Sequence, residues 1–175
     1  MALNYHMMRM KYITVMIFFT SLISCQSRKA REFDAFLDST ERKVYRTLVG
    51  DSIDDIRLKA LIEMKSGEAL SIGKRQASEL SNVIKEIENS DVSDIKEAKA
   101  LKQAAINYYL GLLDLKKVDI QEAELMRAHQ ENARRAEQDS FNLPRKRLQI
   151  HRIISVREQA MHQARLRFEK ANDIP

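Results

Sequence analysis

Residues 93–115 read SDIKEAKALKQAAINYYLGLLDL, and this stretch decides the fold. Ile95, Ala98, Leu101, Ala105, Tyr108, Leu112 and Leu115 recur at intervals of three and four. That interval matches the turn of an α-helix, so the seven side chains share one face. An apolar stripe of this length cannot stay in water by itself. It demands partner helices.

The flanking sequence supplies them. Towards the C-terminus the same helix is predicted to run to about residue 137. Past Ile120, however, the large apolar residues thin to Leu125 and Met126. This portion is expected to have a weaker core, projecting beyond the bundle or packing on a partner. Ser140 to Leu143 reads as a loop. Pro144 suits a first helical turn, where its missing N–H costs nothing. A last helix over 144–171 then buries Ile150, Ile153, Ile154, Met161, Ala164 and Phe168.

Towards the N-terminus, Asn89-Ser90-Asp91 reads as a turn, with Asp91 or Ser93 capping the long helix. A third helix over 68–89 turns Ala69, Ile72, Ala77, Leu80, Val83, Ile84 and Ile87 inward. Gly73 weakens it locally by about 1 kcal/mol relative to Ala. Ser52 and Asp55 have the spacing of a capping box and start a second helix, with Ile53, Ile56, Ala60, Leu61 and Met64 inward. Ser66-Gly67 breaks or kinks it. A first helix over 27–49 carries Phe33, Phe36, Leu37, Val44 and Leu48, and Gly50 is its expected stop.

Composition agrees. The chain has 4 Gly and 2 Pro in 175 residues, so helix breakers are scarce. No segment shows a sustained strand alternation. The expectation is an all-α, antiparallel bundle of four to five helices with a long fourth helix. No internal repeat is present, and no heptad run is long enough to force one extended coiled coil. The last two helices are compatible with a coiled-coil hairpin.

Residues 11–25, KYITVMIFFTSLISC, obey different rules. Arg9 and Lys11 form a positive head. Residues 13–23 are an apolar run, and small residues close it. This is the build of an export signal. A spanning helix needs about 20 apolar residues, and the run is about half that. Met10, just before Lys11, is an alternative start to Met1.

Leu22-Ile23-Ser24-Cys25 resembles the lipobox of bacterial lipoproteins, with Leu three residues before the cysteine and a small residue directly before it. The resemblance covers residues 1–25 only. It implies cleavage between Ser24 and Cys25, a diacylglyceryl thioether on Cys25 and an N-linked acyl chain such as palmitate. One acyl chain anchors weakly, and several anchor firmly. The resulting division is a signal peptide at 1–24, a lipidated N-terminus and tether at 25–30, and a helical domain at 31–175. Gln26 stands where an Asp would imply retention at the inner membrane. By resemblance, this implies the outer membrane, and a periplasmic face is expected because no acidic run follows Cys25.

Cys25 is the only cysteine, which excludes an intrachain disulfide and a thiolate metal cluster. The chain carries a net charge of +5. Residues 126–175 hold eleven Lys/Arg against six Asp/Glu. Such a basic end suits phospholipid headgroups or an acidic partner, or is simply a solvated face.

Candidate chemistry is sparse. His151 and His162 share a helical face but sit about 16 Å apart along it, too far for one metal ion. Glu158 and His162 are four apart, with no third ligand in view. Tyr108-Tyr109 suits core packing better than ligand stacking. Arg145-Lys146-Arg147 is a basic helix start, and export would separate it from cytoplasmic nucleic acid. Neither a phosphate loop nor a nucleophile elbow occurs. We therefore expect no catalytic residue, cofactor, metal or nucleic-acid partner. The expected function is a membrane-anchored, non-enzymatic scaffold or accessory subunit acting through helix–helix contacts with an envelope protein. The alternative is a ligand-binding or enzymatic domain with a pocket between helices.

Overall fold

A computed structural model describes residues 28–131 and 142–175. Among them lie five α-helices: α1 (28–48), α2 (Ile53–Ile62), α3 (Ser66–Asn89), α4 (Ala98–Glu131) and α5 (Leu143–Ala171). The described residues form no strand. The chain is an all-α bundle whose helices pack against one another, with a 34-residue fourth helix as its spine.

Successive long helices run antiparallel. Lys102 of α4 donates to the carbonyls of Glu88 and Ser90 at 2.7 and 2.6 Å, which satisfies the open end of α3. Asn172, just past α5, donates to the Lys96 carbonyl before α4 at 2.9 Å. α1 lies along the second half of α3, where Lys43 meets Glu86 at 2.8 Å and the Thr47 hydroxyl donates to Glu79 at 2.7 Å. It also meets α5, with Phe33 and Phe168 edge to face at 5.8 Å. Arg165 of α5 reaches Asp34, Asp38 and Glu41 of α1.

The main core follows from these pairings. Phe33 and Leu37 of α1, Leu80 and Ile87 of α3, Leu101 and Tyr109 of α4, and Phe168 of α5 are buried together. α2 covers the first half of α3 and closes a second, smaller core of Ala60, Leu61, Ala69, Leu70 and Ala123.

Two glycines set how closely helices approach. A Cβ on Gly111 of α4 would lie 3.0 Å from Ile154 of α5. One on Gly73 of α3 would lie 3.1 Å from Ile120 of α4. Gly73 thus trades some helix propensity for close packing.

Several local expectations are corrected. Ser52 makes no capping hydrogen bond, because its backbone is left-handed (φ 53°). The reversal after α1 is carried by Asp51 and Ser52 rather than by Gly50, whose φ is not positive. Asp and Ser tolerate that region through local polar contacts. α3 starts at Ser66 and α4 only at Ala98, with Asp91 accepting from the Ser93 N–H at 3.0 Å in the turn between them. Ile56, Met64 and Ile153, expected inward, are exposed. Residues 28–30 are helical, as the first helix over 27–49 expects, and Ala30 is fully buried, so the helical body begins within the 25–30 tether.

Past Ile120, α4 does not leave the bundle within the described residues. Ala123 is buried there, and Gln130 accepts from Ser66 at 3.0 Å and donates to the Met64 carbonyl at 2.7 Å. Its expected course over 132–137 and the 140–141 part of the loop lie outside the described residues.

Candidate functional site

The stripe of α4 passes through Leu101, Ala105, Tyr109 and Leu112, and its next inward positions are Lys116, Asp119 and Ala123. Charged groups therefore enter the interior. Lys116 and Asp119 are each 4% exposed, and Arg57 of α2 is 3% exposed. Asp54, Glu122 and Arg147 complete a group of three cations and three carboxylates at the junction of α2, α4 and α5.

Every cation meets more than one carboxylate. Lys116 Nζ lies 2.8 Å from Asp54 and 3.1 Å from Asp119. Arg57 lies 3.5 Å from Asp119 and 3.3 Å from Glu122. Arg147 sits 2.9 Å from both Asp119 and Glu122. Burial pushes the Asp54 carboxyl up. The hydrogen bond and charge of Lys116 outweigh it, helped by Arg57 and Gln76, and hold the group below its ordinary range.

Gln76 of α3, 1% exposed, extends the network to the break between α1 and α2. It donates to the Thr47 carbonyl at 3.1 Å and to Asp54 at 3.5 Å. One α1 carbonyl left open by the helix end is thereby satisfied. This arrangement locks helices together. Asp54, held below its ordinary range, stays charged within it.

Beside the cluster an open groove of about 660 Å³ runs between the end of α4 and the start of α5. Its apolar walls include Met64, Leu125, Met126, Leu143 and Leu148, and Glu122 and Arg147 form its polar edge. His129 and His151 both line it. The structure thus brings His151 near His129, while His162 stays apart and exposed. Among the described residues no group of three His, Cys, Asp or Glu side chains is placed to hold a metal ion.

The remaining expected residues separate. Leu22, Ile23, Ser24 and Cys25 lie outside the described residues. Tyr109 is buried and Tyr108 half-buried beside it, at 5.3 Å between rings. Burial pushes the Tyr109 hydroxyl up, and Glu41 adds to this. The basic start of α5 divides: Arg147 turns into the charge cluster, Lys146 donates to Gln121 at 3.0 Å, and Arg145 is exposed. Among the described residues no helix is long and apolar enough to cross a membrane.

Comparison with protein-family models, with curated proteins and with solved structures finds no match.

Proposed function

We propose that the chain is an envelope lipoprotein, anchored through an acylated Cys25, whose bundle serves as a non-enzymatic scaffold or accessory subunit. The sequence of residues 11–25 motivates the anchor. The observation that carries the role is the character of the groove. It is open and mostly apolar, and the charges beside it are already paired with one another. A reactive site would instead gather polar groups with shifted acidity around an enclosed substrate. An apolar trough at a helical junction fits one helix of a partner, laid in by its apolar face.

The experiment has two arms. With Cys25→Ala, the unprocessed precursor should accumulate and the processed, membrane-bound form should disappear. Cells expressing the intact chain are also cross-linked and solubilised in detergent. A stoichiometric envelope protein should be recovered, and Leu148→Glu with Met126→Glu should lose it. A monodisperse monomer without a partner would overturn the scaffold role. Membrane sedimentation of Cys25→Ala at its native processed size would overturn the anchor.

A second reading is favoured by the groove's size, which falls in the range that holds small ligands. A small apolar ligand displaced by Leu148→Glu, with no protein recovered, would select it.

A further inference from the structure

The outward face of α5 is basic towards both of its ends. At 3.6 residues per turn, Arg145, Arg152, Arg167 and Lys170 fall within a band about 60° wide on the side away from buried Ile154 and Phe168. All four are exposed. None of them makes an ion pair or side-chain hydrogen bond among the described residues, unlike Lys146, Arg147, Arg157 and Arg165 of the same helix. The two acids of α5 lie off the band. Glu169 pairs with Arg165 at 3.8 Å, and Glu158 lies close enough to Tyr108 to push its hydroxyl up, after burial. Val156, 66% exposed, and Leu166, 46% exposed, stand at or beside the band.

α1 starts at the end of the bundle where α5 finishes. The first described residue of α1 is number 28, three after Cys25. Three residues span at most about 11 Å. The α1 start lies against the α5 end, as the Phe33–Phe168 contact shows. A lipid on Cys25 would therefore hold that end of the bundle, where Arg167 and Lys170 lie, within reach of the bilayer.

We infer that the bundle lies on its side, with the outer face of α5 resting on an anionic lipid surface. Basic side chains meet the headgroups there, and Val156 and Leu166 enter the boundary between headgroup and acyl chain. The inference rests on the anchored reading. It adds the orientation and the class of lipid recognised. An acidic protein is the other surface of matching charge, but the short tether favours lipid.

The full chain carrying Val156→Cys, labelled with an environment-sensitive dye, is incorporated into vesicles with brominated acyl chains. These contain phosphatidylcholine with or without phosphatidylglycerol. Asn82→Cys, on the exposed side of α3, serves as the reference. The label at position 156 should be quenched at least twofold more than the reference in the anionic vesicles only. The difference should vanish with Arg152→Glu, Arg167→Glu and Lys170→Glu combined, and in 1 M salt, where screening acts over about 3 Å. Flotation with the vesicles should persist in both conditions, because acyl chains are not screened.

Equal quenching at the two positions, or extra quenching that survives charge reversal, would overturn the orientation while leaving the anchor standing. Flotation that vanishes with charge reversal would overturn the anchor and retain the basic face as the lipid contact. An acidic envelope protein cross-linked at position 156 in cells, with no quenching by lipid, would also overturn it. Unchanged helicity of the triple variant is the folding control, and the milder Arg152→Gln with Arg167→Gln should lose part of the difference.

Discussion

The two ends of the bundle close in different ways. At the end where α1 starts, Phe33, Leu37, Leu101, Tyr109 and Phe168 fill the interior with aromatic and aliphatic side chains. Where α2 replaces α1, the apolar cluster shrinks to Ala60, Leu61, Ala69, Leu70 and Ala123, and Arg57, Lys116 and Asp119 are buried beside it. The first end is held by removing apolar area from water, which is tolerant of direction. The second depends on charges that balance only while every partner is present. This contrast bears on stability and specificity together. Apolar packing is the larger stabilising contribution, and the paired charges join α2, α4 and α5.

The largest effect should come from the apolar end. Phe168→Ala removes a fully buried ring and should destabilise by about 4 kcal/mol in a denaturant titration. A cost under about 1.5 kcal/mol would mean that Phe168 is not central to that core.

Asp119→Ala tests the other end. It leaves Arg57 and Lys116 buried beside fewer carboxylates and should cost about 3 kcal/mol. The combined replacement Asp54→Asn, Arg57→Met, Lys116→Met and Asp119→Leu removes the stranded charges, and most of the loss should return. A fourfold variant as unstable as the single one would show that the charges are not mutually compensating. No comparable rescue exists for Phe168→Ala, and that difference is the sharpest form of the contrast.

Gly111→Ala sits between the two ends. The new methyl would meet Ile154 at 3.0 Å, so α4 and α5 must part or Ile154 must leave its rotamer. The expected cost is about 1–3 kcal/mol. Pairing it with Ile154→Ala, which removes the Cγ1 that the new methyl meets, should cost less than the sum of the two single substitutions.

Acid should separate the ends most gently. The folded-state acidity of Asp54 is depressed below its ordinary value of 3.8. The unfolded chain then takes up the proton first as pH falls. Stability from this group is complete above about 3.8 and is lost as pH drops through its lower folded value. Asp54→Asn should flatten the slope of stability against pH below that point. An unchanged slope would remove Asp54 from the network.

How far the sequence can be read differs between the same two ends. Leu80, Ile87, Leu101 and Phe168 sit on clean helical stripes, so their burial is legible from spacing alone. Past Ile120 the large apolar residues thin, and the natural expectation is a weaker or projecting helix. The signal for the truth is present but of another kind, since Lys116 and Asp119 continue the inward positions of α4 at intervals of four and three. A charge on a stripe reads as an interruption until its partners are known, and those come from α2 and α5, 62 residues earlier and 28 later. The α1–α2 break falls where the sequence predicts it, but for another reason. A left-handed Asp51 and Ser52 make it, without the cap their composition suggests.

The amino-acid order by itself determined an all-helical chain, its main core and a short apolar run just ahead of a cysteine, because helical periodicity and run length are local properties. Only the tertiary structure decided which charges are buried, that His129 rather than His162 shares a groove with His151, and that α5 turns a basic face outward. Those are properties of facing surfaces. The free energy of a charge depends on what lies across from it in space, and nothing in its own stretch of chain records that.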